Sequence, residues 1–117
     1  MTRIRLGLAT ACALALVVAA PTGAATTKLV ASVGPGFTIT LTKAGKKVTT
    51  LKPGTYAITV NDKSTFHNFR LKGLGVNKAT TVAFKGARTW NVTLKRGTYR
   101  YQCDPHKLDM KGSFRVA

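Results

Sequence analysis

Short stretches of alternating apolar and polar residues recur along most of the chain. Three of them are FTITL at 37–41, YAITV at 56–60 and WNVTL at 90–94. Alternation over five residues is typical of a strand with one buried face. Turn residues lie between these stretches, as in GPG at 34–36 and PG at 53–54. Since no apolar stripe at helical spacing runs for three turns, the pattern predicts an all-β fold, an antiparallel β-sandwich.

An internal repeat indicates which side chains of two strands face the core. The segment LKPGTY at 51–56 is echoed by LKRGTY at 94–99. Counting every second residue from the tyrosine that ends each segment leads to Val60 in the first strand and to Cys103 in the second. We therefore predict that Cys103 faces the core at the end of its strand.

The same counting applies to a histidine in the middle of the chain. In TFHNFRL at 65–71, His67 shares one face with Phe69 and Leu71, whereas the polar Asn68 alternates with them. His67 is therefore predicted to point inward. An inward histidine and an inward cysteine at strand ends can meet in one pocket.

The N-terminal stretch has the features of a targeting segment. Arg3 and Arg5 precede an uncharged apolar run at 8–20, and small residues follow at 21–25. This order is the three-part pattern of a secretory signal peptide. The apolar run is shorter than the roughly 20 residues that a membrane-spanning helix needs.

Export sets the expected organisation of the chain. Cleavage is expected after Ala24 or Ala25, so residues 1–25 are predicted to be a signal peptide and residues 26–117 a single domain. The predicted location is the periplasm, or the extracellular side of the cell envelope.

The two cysteines have different fates under this prediction. Cys12 leaves with the signal peptide, and Cys103 stays as the only cysteine of the mature protein. A disulfide within the mature chain is therefore excluded. A lone cysteine in an oxidising compartment is a liability unless it is buried or bound, which is a first indication of a metal.

The charge is strongly one-sided. The chain has 19 Lys and Arg residues against three acidic residues, a formal net charge of +16. Such a surface favours acidic partner proteins, an anionic membrane or a cell-wall surface. The cations are scattered singly along the chain, so solvated strand faces explain them equally well. No nucleic-acid-binding motif is recognisable, and nucleic acid is not an expected partner.

The chemistry is concentrated in one loop. Cys103, His106 and Met110 lie within eight residues, and with His67 they make up all the Cys, His and Met that follow residue 25. A thiolate, two imidazoles and a long, weak thioether bond are the donor set of blue-copper sites. Thiolate and thioether suit Cu(I), while imidazole suits both oxidation states, so the set is compatible with one-electron cycling.

On the basis of these residues, positions 28–117 resemble the cupredoxins and are similar to plastocyanin, pseudoazurin and amicyanin. The motifs that carry the resemblance are His67-Asn68 and Cys103-x-x-His106 followed by Met110. The resemblance implies a Greek-key β-sandwich with one type 1 copper ion at one end. It also implies that His67, Cys103 and His106 form a trigonal plane with Met110 on the axis.

Two departures from the family pattern leave alternatives open. Three residues separate His106 from Met110, whereas plastocyanins have four and the pseudoazurin and amicyanin group has two, so the geometry of the axial ligand is open. Asp104 replaces the usual Ser or Thr; it and Asp109 either stabilise Cu(II) electrostatically or cap turns. Asn68 is either the family's loop-tying amide or a surface amide.

The predicted function is that of an exported one-electron carrier, a monomer that exchanges electrons with acidic redox partner proteins. His106 is the expected electron exit by resemblance. An enzyme is not expected, because the sequence has no second histidine cluster, no Ser-His-Asp set and no paired carboxylates. Two alternatives stay open: a copper-delivery protein of the envelope, and a cationic envelope-binding module in which copper is structural.

Overall fold

A computed structural model describes Gly7, residues 12–16 and residues 26–117. The prediction of a signal peptide over 1–25 concerns residues that lie largely outside this described part, so it stays a prediction. In the described part of the chain, no helix is both long enough and apolar enough to cross a membrane.

Residues 27–116 form ten strands and one short 3-10 helix, Asp104–His106. The predicted all-β class is confirmed. The strands are β1 Thr27–Val33, β2 Ile39–Lys43, β3 Lys46–Lys47, β4 Thr50–Leu51, β5 Gly54–Asp62, β6 Arg70–Gly73, β7 Val76–Ala79, β8 Gly86–Leu94, β9 Gly97–Gln102 and β10 Lys111–Val116.

The strands are arranged in two five-stranded sheets that pack as a sandwich. The first sheet has the order β3-β2-β1-β5-β8, and the second has the order β4-β10-β9-β6-β7. Most neighbours are antiparallel, but β1 with β5 and β4 with β10 are parallel. The predicted β-sandwich is confirmed; it is antiparallel apart from these two pairs. β1 and β5 are parallel because the chain crosses into the second sheet at β4 before it returns to the first sheet at β5.

The hydrophobic core lies between the two sheets and follows the predicted alternation. In β5, Tyr56, Ile58 and Val60 are buried, and the residues between them are more exposed. Removing these side chains from water is the main favourable contribution to folding. The same alternation buries Val92 and Leu94 of β8, as predicted.

Two tyrosine rings of β9 lie flat across glycines of the neighbouring strands. The ring of Tyr99 covers Gly73, and the ring of Tyr101 covers Gly112. A Cβ atom at either glycine would overlap the ring. Because these glycines have no side chain, the large inward tyrosines of β9 can lie against the inner face of their own sheet. They lie next to the strand end that carries Cys103.

Two predicted strands begin later than the sequence pattern indicated. β2 begins at Ile39, which leaves Phe37 in the preceding turn, and β6 begins at Arg70. His67 and Asn68 therefore lie in a loop, where strand alternation does not apply, and both are buried. The inward position of His67 is confirmed, but the alternation that placed Asn68 on the opposite face is wrong.

Candidate metal centre

The predicted ligands converge because their strands are neighbours. β6 and β9 are antiparallel, and Arg70 at the start of β6 lies opposite Gln102 at the end of β9. The loop before β6 carries His67, and the segment after β9 carries Cys103. The short helix that follows ends at His106. All three side chains consequently lie at one end of the sandwich.

Three donor atoms of these side chains surround one point. The Nδ1 atoms of His67 and His106 are 3.1 Å apart, and Sγ of Cys103 lies 3.7 Å from the first and 3.6 Å from the second. A point equidistant from the three atoms is about 2.0 Å from each, close to the roughly 2.0–2.3 Å that imidazole and thiolate ligands keep from zinc, another first-row metal. The donor set and its spacing thus fit one type 1 copper ion.

The centre is shielded from solvent on most sides. Cys103 and Met110 are fully buried, and His67 is 5% exposed. His106 is the only one of the four that is not buried. A soft thiolate shielded from water and a single imidazole that reaches the surface are compatible with exchange of an electron without exchange of the metal.

The three-residue spacing between His106 and Met110 is accommodated by one tight turn. The Met110 N–H donates to the carbonyl of His106 at 2.8 Å, and the Cys103 N–H donates to the carbonyl of Met110 at 3.0 Å. The backbone of Met110 is therefore held beside Cys103, and its side chain is buried at the centre's end of the sandwich. Coordination by Met110 stays a prediction.

We expect replacement of Met110 to shift the reduction potential in a direction that depends on the new side chain. Met110→Gln should lower the potential because a harder oxygen donor favours Cu(II), and Met110→Leu should raise it because a donor is lost. Voltammetry of the copper-loaded variants measures both shifts. Equal potentials in all three proteins would show that Met110 is not an axial ligand.

Asn68 ties the two ligand segments together. Its backbone N–H donates to Sγ of Cys103 at 3.4 Å. Its side-chain amide donates to the carbonyl of Thr80 at 3.1 Å and to the Asp104 carboxylate at 2.8 Å, and its oxygen accepts from the Asp104 N–H at 2.7 Å. Asn68 is 2% exposed, so the surface-amide alternative is wrong and the loop-tying role is supported.

Asp104 is paired with an arginine. The Nε and one terminal nitrogen of Arg70 donate to the carboxylate of Asp104 at 2.9 Å, and the amide of Gln102 adds a third donor at 3.0 Å. The Arg70 guanidinium, with Gln102 and Asn68, holds the pKa of Asp104 well below its usual range, although partial burial acts in the opposite direction. The negative charge of Asp104 is therefore balanced by Arg70. The pair links the segment that carries Cys103 to the start of β6, directly after the loop of His67.

A second carboxyl group near the centre is buried without full compensation. Asp62 is 2% exposed, and its Oδ1 accepts the N–H of Ser64 at 3.0 Å, whereas its Oδ2 has no hydrogen-bond partner. Burial raises the pKa of Asp62, and the hydrogen bond from the Ser64 N–H counteracts this only in part. The ionised form thus costs free energy in the folded protein.

Asp62→Asn is expected to stabilise the protein at pH 7. A raised pKa in the folded state means that the cost of ionised Asp62 is present above that pKa and absent below the unfolded value of about 3.9. The gain should be about 1 kcal/mol, or roughly 4–8 °C in Tm, and should disappear near pH 3. Thermal unfolding at pH 7 and at pH 3 measures this gain. Asp109→Asn, at an exposed position, is the control and should leave Tm unchanged at both pH values. A gain that persists at pH 3 would contradict the proposed cause.

Phe37 is a residue of the site that sequence reasoning missed. Its ring packs edge-on against both imidazoles, with centroids 5.4 Å from His67 and 4.9 Å from His106, and it is 65% exposed. Phe66 and Leu108, in the loops that carry the histidines, are also exposed. The reachable edge of His106 thus lies within an apolar surface, which no local pattern of the sequence indicated.

The comparisons with known proteins bear on the fold. No protein-family model matches this chain, and no curated protein matches it significantly. Among solved structures it is similar to auracyanin from Roseiflexus castenholzii, with 23% identity over 79% of this chain and 98% of the other and a TM-score of 0.55. It is similar to rusticyanin from Thiobacillus ferrooxidans, with 27% identity over 79% and 77% and a TM-score of 0.56.

A third similar structure is a Cu(I) form of an amicyanin variant, with 18% identity over 78% of this chain and 83% of the other and a TM-score of 0.52. The sandwich is therefore consistent with the resemblance inferred from the motifs. So is the site at its end, built from the segments of His67, Cys103, His106 and Met110. This chain has the cupredoxin fold, with a His-Cys-His-Met site that fits one type 1 copper ion.

Proposed function

We propose that this protein is an exported one-electron carrier of the periplasm or outer cell surface. The observation that carries the proposal is the convergence of two imidazole nitrogens and one thiolate sulfur on a single, shielded point. Copper bound at this point supplies reversible uptake and release of one electron. The cupredoxin fold of this chain supports the same function.

The protein's contribution is to hold the ligands in one arrangement. Asn68 connects the loop of His67 to the segment of Cys103 by hydrogen bonds. The ion pair between Arg70 and Asp104 is a second link between the same two parts of the chain. Ligands that are fixed by buried hydrogen bonds move little when the charge at the centre changes. A small rearrangement favours fast electron exchange and disfavours release of the metal, which argues against copper delivery.

The surface around His106 fits brief docking of an acidic partner. The exposed Phe37, Phe66 and Leu108 provide apolar contact, and Lys107 and Lys111 flank the same loop with positive charge. Charges at such a surface increase the rate of encounter more than the lifetime of the complex. Acidic redox proteins are therefore the proposed partners, and an anionic membrane or cell-wall surface would be attracted by the same positive charge.

Electron exchange with an acidic donor protein at varied salt tests the proposal. At physiological ionic strength the screening length is about 8 Å, so the rate should fall steeply as salt is added. Lys107→Gln with Lys111→Gln should slow the low-salt rate and flatten its salt dependence. Lys52→Gln with Lys95→Gln removes the same charge at the opposite end of the sandwich, beside the paired Gly54 and Leu94, and should have a much smaller effect.

Two results would replace the carrier with its alternatives. Slow, salt-independent electron exchange, together with ready passage of copper to a metal-free acceptor, would establish copper delivery. Undiminished binding of the copper-free protein to cell envelopes, without electron exchange, would establish a cationic binding module. Cyclic voltammetry of the copper-loaded protein, expected to show a reversible one-electron wave, separates both from the carrier.

A further inference from the structure

One edge of the second sheet is open beside the ligand loop. β10 pairs with β9 along its whole length. On its other side, β4 covers only Arg115 and Val116. The chain does not extend β4 further along this edge because the preceding strand, β3, pairs with β2 in the first sheet. Among the residues that the structure describes, the edge of β10 at 111–114 therefore has no neighbouring strand.

The backbone groups at this edge point outward in a regular order. The N–H of Arg115 donates to Thr49 at 3.0 Å, and that of Ala117 donates to Leu51 at 2.9 Å. In an antiparallel pair, alternate residues direct both N–H and C=O to the same side of the strand. Lys111 and Ser113 therefore direct their N–H and C=O groups to the open edge, where no strand of residues 26–117 pairs with them.

A cationic cleft lies along the open edge. Its volume is about 630 Å³, and no acidic residue lines it. Four cations do: Lys47, Arg100, Lys107 and Lys111. Other clefts carry fewer cations: two line the cleft of about 650 Å³ at Lys43 and Lys52, and three lysines line one of about 340 Å³ at residues 43–51. Four positive charges and no negative one therefore lie beside the unpaired backbone of β10.

We propose that the open edge of β10 binds an extended acidic segment of a partner protein as an added strand. The edge offers donors and acceptors in alternation, which a peptide backbone can match in register. A simple oxyanion would use only the N–H groups and would be repelled by the carbonyls of Lys111 and Ser113. Carboxylates on the added strand would pair with the cations that line the cleft, and their desolvation there strengthens the attraction.

The same cations determine which strands the edge accepts. Lysines on an open edge prevent pairing between copies of one protein, and this chain carries a formal net charge of +16. A second copy is therefore repelled, whereas an acidic strand is attracted, so that specificity comes from repulsion as well as attraction. The inference does not rest on electron transfer, since the edge is open whatever the centre does.

Three synthetic peptides of about eight residues test the proposal against the reduced, copper-loaded protein by NMR. Alternating Glu–Val can add as an acidic strand; Glu–Pro has the same charge but lacks the alternate N–H groups; Lys–Val has the strand backbone with the opposite charge. Only Glu–Val is expected to bind saturably, to shift the amide signals of Lys111 and Ser113 and to slow their hydrogen exchange. Equal binding of Glu–Pro at these amides would overturn the added strand, and equal binding of Lys–Val would overturn the charge selection.

Variants locate the contact. Ser113→Pro removes one edge N–H and should weaken Glu–Val binding at least about tenfold, whereas Ser113→Ala keeps the N–H and should bind within about twofold of the unaltered protein. Lys47→Gln with Lys111→Gln should weaken binding much more than Lys52→Gln with Lys95→Gln. Equal losses in these two pairs would mean that net charge alone attracts the peptide. If Ser113→Pro does not fold, hydrogen exchange of the unaltered protein decides.

Discussion

Cys103→Ser is expected to abolish the intense visible absorption of the copper-loaded protein. The band arises from charge transfer between the thiolate and Cu(II), and a hydroxyl group at the same position provides neither the soft sulfur donor nor the low-energy transition. Sγ lies within 3.7 Å of both Nδ1 atoms, and the chain's other cysteine, Cys12, is exposed outside the sandwich, so no second thiolate is at the centre to substitute for it. An absorption spectrum after copper titration measures the effect.

The second cysteine provides the matched control for this prediction. In the uncleaved chain, Cys12→Ser makes the same chemical change at an exposed position outside the sandwich, and it should leave the spectrum unchanged, as should removal of the predicted signal peptide. His67→Ala and His106→Ala should each weaken or reshape the band, because each removes one donor atom of the set. A blue protein after loss of Cys103, or a colourless one after loss of Cys12, would contradict the assigned site.

Asn68→Ala is expected to lower the free energy of unfolding by about 2 to 5 kcal/mol. The change removes the partners of the Thr80 carbonyl and of the Asp104 N–H, and an unsatisfied buried group costs about 1–3 kcal/mol. For a domain of this size that is a large fraction of the total stability. Denaturant unfolding of the metal-free protein measures the loss, so the result does not depend on copper binding.

An exposed asparagine provides the control for this change. Asn91→Ala, at a solvent-facing position of β8, should alter stability by no more than about 0.5 kcal/mol. The Asn68 variant should also shift the thiolate band of the copper-loaded protein, since the N–H that contacts Sγ loses its support. A change below 1 kcal/mol with an unchanged band would show that Asn68 does not hold the two ligand segments together.

The local pattern of the sequence was sufficient for the buried faces and the donor atoms. The repeated LK-x-GTY segment placed Cys103 inward at a strand end, and the structure has it fully buried directly after β9. Alternation placed His67 inward as well, although it lies in a loop. The prediction for Cys103 holds because burial of one strand face is recorded in neighbouring residues, and the donor set could be recognised because thiolate, imidazole and thioether have few common uses together. The burial of His67 has a different cause, since its loop and not strand alternation turns the side chain inward.

The tertiary structure decided how distant segments meet. Arg70 and Asp104 lie 34 positions apart and pair only because β6 and β9 are neighbours. Phe37 covers both imidazoles because β2 begins after it, and the edge of β10 is open because β3 joins the other sheet. Alternation records which face of a strand is buried but not which strand lies beside it. The choice of neighbours depends on the packing of the whole chain, so the bonds that hold the centre and the open edge could be found only in three dimensions.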